Sequence, residues 1–154
     1  MRNRLFEKSL RKFCQKSGDP DTMMKRLEKT LHTGFDFNTG KICDEYIVHR
    51  SMFRATVIPL KNVVWAYKTS IGPAHETVGV NINLDSGPGM YNVQTLFLKH
   101  SDADLMLHYI WENCPNIAIG FDDQVNDLCY NQDFEGLKKY AYTQRKENFM
   151  NYEW

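Results

Sequence analysis

The side chains best spaced to hold a metal ion lie in the second half of the chain. Asp104 and His108 stand four residues apart, which puts both on one face of a helix, and His100 lies just before them. A zinc-type site needs three or four converging ligands. A solvated helix face with a first-turn carboxylate accounts for the same residues. Asp122, Asp123 and Asp127 form an acidic turn without the alternating ligands, glycine and closing glutamate of a calcium loop. For nucleophilic chemistry, serines, cysteines and histidines are present, but no G-x-S-x-G elbow or cysteine-enzyme signature accompanies them. Cys14, Cys43, Cys114 and Cys129 are scattered, with no C-x-x-C pair, and read as reduced thiols filling small apolar spaces. Gly87-Pro-Gly89 lacks the Lys-Ser/Thr of a phosphate loop and reads as a hairpin turn. The expectation is a chain with no catalytic, cofactor-binding or metal-binding residue, which is not an enzyme.

Charge is the more informative pattern. The 154 residues hold 19 Lys and Arg against 19 Asp and Glu, so the net charge is zero. Such a chain lacks the global basic field of a nucleic-acid binder. The charges are nevertheless segregated. Residues 1–16 carry Arg2, Arg4, Lys8, Arg11, Lys12 and Lys16 against Glu7. Residues 101–135 carry Asp102, Asp104, Glu112, Asp122, Asp123, Asp127, Asp133 and Glu135 with no Lys or Arg. Basic residues interleaved with Phe6 and Phe13 could track phosphates or an anionic membrane surface. A surface helix with its aromatics turned to the core explains them better, and neither partner is expected.

The elements that position these groups follow from periodicity. Residues 2–16 read as a helix with Phe6, Leu10 and Phe13 on one stripe. Asp19 as N-cap and Pro20 at the first helical position start a second, striped by Met23, Met24, Leu27 and Leu31. From residue 33 the period shortens to two. Strands are expected at 45–50, 53–58, 63–67, 77–84 and 91–98, with turns at Asn38-Thr-Gly40, 71–75 and 85–89. Pro59 belongs at an edge, bulge or strand start. Trp65 is a candidate core anchor, with Tyr67 on the same face. Ser101 is the expected N-cap of a helix burying Leu105, Met106, Tyr109, Ile110 and Asn113, ended by Pro115. Ile117-Ala-Ile119 is a short edge strand or link. A last helix over about 133–148 turns Phe134, Leu137, Ala141 and Gln144 to one side. The aromatics Trp111, Tyr130, Tyr140, Tyr142, Tyr152 and Trp154 suit burial at an interface. No apolar run approaches the roughly 20 residues of a membrane span, and no apolar h-region follows the N-terminal basic residues, so a cytoplasmic protein is expected.

The order is helices over 1–32, an antiparallel meander over 33–100 and helices over 101–154, within a single domain of α+β class. Residues 35–121 resemble bacterial pleckstrin-homology-like domains, and are similar to a family of unknown function from anaerobic Firmicutes. The resemblance rests on Gly40-Lys-Ile-Cys-Asp-Glu-Tyr-Ile-Val48, on Val57-Ile-Pro-Leu-Lys-Asn-Val-Val-Trp-Ala-Tyr67, and on the helix from Ser101 followed by Ile119-Gly-Phe-Asp122. It implies a sheet curled into a partly open roll or barrel with helices packed around it. Phosphoinositide binding in such domains uses several basic residues around the first hairpin. The matching turn here offers Lys41, followed by Asp44 and Glu45. The functional expectation is therefore a non-enzymatic interaction module acting through protein–protein contacts. The partner would be another protein or a second copy, and the basic N-terminal helix is expected to meet the acidic 101–135 region either within one subunit or across a homodimer. The alternative is a domain binding a small molecule, an anion or a lipid headgroup between the sheet and its helices.

Overall fold

A computed structural model describes residues 4–37, 39–43, 45–51, 54–73, 77–85 and 91–147. The chain gathers into two compact units, Met1–Lys61 and Asn62–Trp154. Both mix helix and sheet, as the α+β expectation requires.

In the first unit, α1 (Arg4–Cys14) and α2 (Pro20–Thr33) precede β1 (Phe35–Asp36), β2 (Gly40–Ile42), β3 (Tyr46–Arg50) and β4 (Ala55–Pro59). The strands form an antiparallel meander in the order β1-β2-β3-β4. Phe6, Leu10 and Cys14 recur every fourth residue, so α1 buries one stripe. That stripe packs with Leu27 of α2, Tyr46 and Val48 of β3 and Val57 of β4. Met23, Met24 and Leu31 of the expected α2 stripe are half-buried against the same cluster, and Thr30 is buried with Leu27. Asp19 caps α2 as expected, accepting from the Thr22 amide at 3.2 Å and its hydroxyl at 2.6 Å. At the entry to β2, a Cβ on Gly40 would meet the Val48 carbonyl and lie 2.8 Å from the Phe37 ring, so glycine alone fits there. Pro59 ends β4, the edge strand, where its missing N–H costs no ladder bond.

The second unit contains β5 (Val63–Ile71), β6 (Thr77–Asp85), β7 (Tyr91–Leu98), α3 (His100–Asn113), β8 (Ala118–Ile119), α4 (Asp123–Tyr130) and α5 (Phe134–Glu147). Its sheet runs β7-β6-β5-β8, antiparallel except for the parallel β5–β8 pair. Val78, Val80, Ile82 and Leu84 alternate along β6 and are buried, as the period-2 pattern requires. Trp65 is fully buried among Ala118, Val125, Cys129, Leu137 and Ala141, which joins β5 to β8, α4 and α5.

The strands thus sort into two four-stranded sheets, where one continuous sheet was expected, and neither closes into a barrel. A short 3-10 turn, Leu60–Asn62, separates β4 from β5. The Leu60 amide, at the start of that turn, donates to the Glu45 carbonyl at 2.9 Å.

Helix α3 also departs from expectation. It starts two residues earlier, with Lys99 at the N-cap and no side-chain cap bond, so Ser101 does not cap it. Its buried face is Asp102, Ala103, Met106, Leu107, Ile110 and Trp111, whereas Leu105 and Asn113 are exposed. The 103-106-107-110 spacing follows the helical period as well as the expected one, and packing selects between them. Where the sequence suggests an acidic turn, the structure has helix α4, capped by Asp122 through the Gln124 amide at 2.8 Å. Asn38, Asp44, Phe53, residues 74–76 and 86–90, and the tail from 148 lie outside the described residues.

Candidate functional site

With Phe6, Leu10 and Cys14 anchored in the core, the helical period sends Arg4, Lys8, Arg11, Lys12 and Gln15 to the opposite side of α1. These side chains, with Glu7, line a shallow concavity of about 600 Å³. Four cations face one carboxylate there. Arg4, Lys8, Arg11 and Lys12 are exposed and form no ion pair among the described residues. Among the described residues the local field is therefore positive.

A second concavity, of about 490 Å³, lies between α4 and α5, lined by Gln124, Leu128, Lys139, Tyr140, Thr143 and Glu147 among others. Its charges balance, and its polar side chains already support the fold. Gln144 on its wall donates to the Ile119 carbonyl at 2.7 Å and accepts from the Ile119 amide at 3.0 Å. The α1 face is the better candidate because its groups are not committed to folding.

The residues weighed for metal chemistry go to separate partners. Asp104 accepts from the Lys68 ammonium at 2.7 Å, and His108 Nε2 lies 2.9 Å from Glu112 Oε1 on the exposed side of α3. Among the described residues no group of three His, Cys, Asp or Glu is placed to hold an ion. Asp122 is a helix cap, and Asp123 and Asp127 are exposed on α4. The four cysteines are free, and burial pushes the Cys14 thiol pKa up, away from the reactive thiolate.

The acidic stretch is a surface, with Asp102 the exception. Asp104, Glu112, Asp122, Asp123, Asp127, Asp133 and Glu135 are all exposed. Asp102 is buried in the first turn of α3, where the helix dipole favours a carboxylate.

The aromatics singled out in the sequence divide. Trp111 is buried beneath the Arg145 guanidinium, 4.4 Å from its ring centroid, while Tyr130 and Tyr142 are exposed. Arg145 also donates to the carbonyls of Cys114 at 3.0 Å and Trp111 at 3.4 Å, closing the C-terminal end of α3. Sequence reasoning missed that Phe121 joins Trp65 and Tyr67 in a cluster whose ring centroids lie 4.5–5.8 Å apart. The Trp65 indole donates to the Gly120 carbonyl at 2.8 Å, and the positive φ of Gly120 (86°) places Phe121 over the pair. The i, i+2 spacing had placed Trp65 and Tyr67 on one face; for Phe121 the signal was the Gly-Phe dipeptide after a short strand.

These features define an α+β protein with two four-stranded sheets and a basic helix face. The chain belongs to the family described as Domain of unknown function (DUF6709), whose model matches residues 5–129, from α1 to the end of α4. No curated protein and no solved structure matches it. No helix among the described residues is long and apolar enough to cross a membrane.

Proposed function

We propose that the chain is a non-enzymatic interaction module of pleckstrin-homology-like build, which binds an acidic protein surface through the exposed face of α1. The carrying observation is the set of four cations that form no ion pair among the described residues, on a helix whose opposite face is locked into the core. Electrostatic complementarity of this kind raises association rate and fixes orientation more than it adds affinity. The pleckstrin-homology-like assignment is supported by the order of elements: an antiparallel meander of four strands, three more antiparallel strands and a helix. The acidic stretch 101–135 of a second copy is one surface with the required chemistry.

A peptide copying residues 120–135 serves as the acidic probe, beside its Asn/Gln counterpart. Vesicles containing phosphatidylserine and inorganic phosphate serve as the other arms. The acidic peptide should bind, the neutral one should not, and raising salt from about 50 to about 500 mM should weaken binding. Lys8→Glu with Arg11→Glu should lower affinity by about tenfold or more. Binding unchanged in that variant would overturn the reading. Binding to vesicles or phosphate alone would replace it with the anion or lipid-headgroup alternative.

A further inference from the structure

We propose that β7 is a self-association edge, through which two copies pair antiparallel about a two-fold axis at Thr95. This inference stands apart from the α1 face and uses no charged side chain.

The two edges of the second unit's sheet are treated differently. At β8, the strand is two residues long, and the Gln144 amide occupies the outward N–H and C=O of Ile119. At β7, the strand is eight residues long and pairs with β6 on one side only. Folded proteins blunt such edges with charges, prolines, bulges or short strands. The β7 sequence, Tyr-Asn-Val-Gln-Thr-Leu-Phe-Leu, has no charge and no proline, and its register with β6 runs without a bulge from Val78↔Leu98 to Asp85↔Tyr91. One edge is closed; the other is free of bulges and of charge, and no strand among the described residues pairs with it.

The occupant follows from the side chains. Leu96 and Leu98 point to the buried face, whereas Val93 and Phe97 are 37% and 57% exposed on the other. Between them Thr95 is held by its hydroxyl donating to Asn81 Oδ1 at 2.6 Å. A two-fold axis at Thr95 sets Val93 of one copy opposite Phe97 of the other, and repeats the pair on the far side of the axis. Aromatic and β-branched residues facing each other across antiparallel strands stabilise the pairing. The strand is therefore complementary to itself, and with no charge from 91 to 98 no like charges meet. A single strand pair buries less than the roughly 800 Å² per partner of a standard stable interface, so the dimer is weak and concentration-dependent.

Sedimentation velocity of the full chain between about 5 and 500 µM reads this out. A monomer–dimer equilibrium is expected that persists at high salt, unlike binding through α1. Phe97→Lys and Val93→Glu should each leave a folded monomer, checked by circular dichroism. Mixed together they should re-form a dimer, because only this register sets position 97 against 93. Thr95→Cys should give a disulfide-linked dimer on mild oxidation that the unsubstituted chain does not, since facing Cα atoms in such pairs lie within disulfide reach. A chain that stays monomeric throughout, a dimer that survives Phe97→Lys, or a Thr95→Cys chain that does not cross-link would overturn the proposal.

Discussion

Gln144 shows how one side chain can close a sheet. Its amide carries a donor and an acceptor in the geometry of a backbone peptide, and it bonds both polar groups of Ile119 in a buried setting. Replacing it with leucine keeps the volume and strands an N–H and a C=O, each costing on the order of 1–3 kcal/mol. Gln144→Leu should therefore lower unfolding free energy by about 2–4 kcal/mol in urea titrations. A loss below about 0.5 kcal/mol would show that water or another group takes over both bonds. The periodicity of α5 placed Gln144 beside Leu137 and Ala141 on the inner face, so its position was legible in the sequence. Its partner was not, because Ile119 lies 25 residues away and nothing local records the pairing. Trp65 divides the same way. Its burial was legible from the strand pattern, but its indole bond to Gly120 depends on a contact 55 residues distant.

At the scale of elements, local chemistry was the reliable guide. The Asp19-Pro20 start of α2 appears as expected because the cap, its acceptor geometry and the fixed proline φ all lie within four residues. The start of α3 and the division of the meander depended on packing. A Pro between two strands is as compatible with a turn inside one sheet as with a switch between two. The capped start of α2 carries a pH signature. Hydrogen bonds from the Thr22 hydroxyl and amide hold the Asp19 carboxyl below its ordinary value of 3.8. A group depressed in the folded state contributes stability above its unfolded pKa and loses it as pH falls through the folded value. Asp19→Ala should thus lower the melting temperature at pH 7, with the gap to the unsubstituted chain narrowing below about pH 4. Asp19→Asn, which keeps the acceptor, should show a smaller loss at neutral pH. Equal losses at pH 7 and pH 2.5 would exclude the ionised cap as the cause.

The zero net charge of the molecule conceals a division that coincides with its two units. Residues 1–61 carry 13 Lys and Arg against 7 Asp and Glu, a charge of +6. Residues 62–154 carry 6 against 12, a charge of −6. The segregation was visible in the sequence at both ends of its range, in the basic 1–16 and the acidic 101–135. Its alignment with the fold was not, because the boundary at Lys61 falls inside the strand-rich stretch from 57 to 67. A molecule of this kind has no net repulsion to keep copies apart, while opposite charges on different copies attract within a screening length of about 10 Å at 0.1 M salt. At pH 7 and low salt, light scattering should give a negative second virial coefficient that rises as salt is added. Lys8→Glu with Arg11→Glu removes four units of charge from the basic side, leaving it at about +2 and the chain at about −4. That variant should scatter as a more repulsive solute at low salt and converge with the parent chain at high salt. Edge pairing through β7 predicts instead an association indifferent to salt, so the two forms of self-contact separate in one titration. If the coefficient does not change with salt in either protein, the charge division plays no part in how copies of this chain meet.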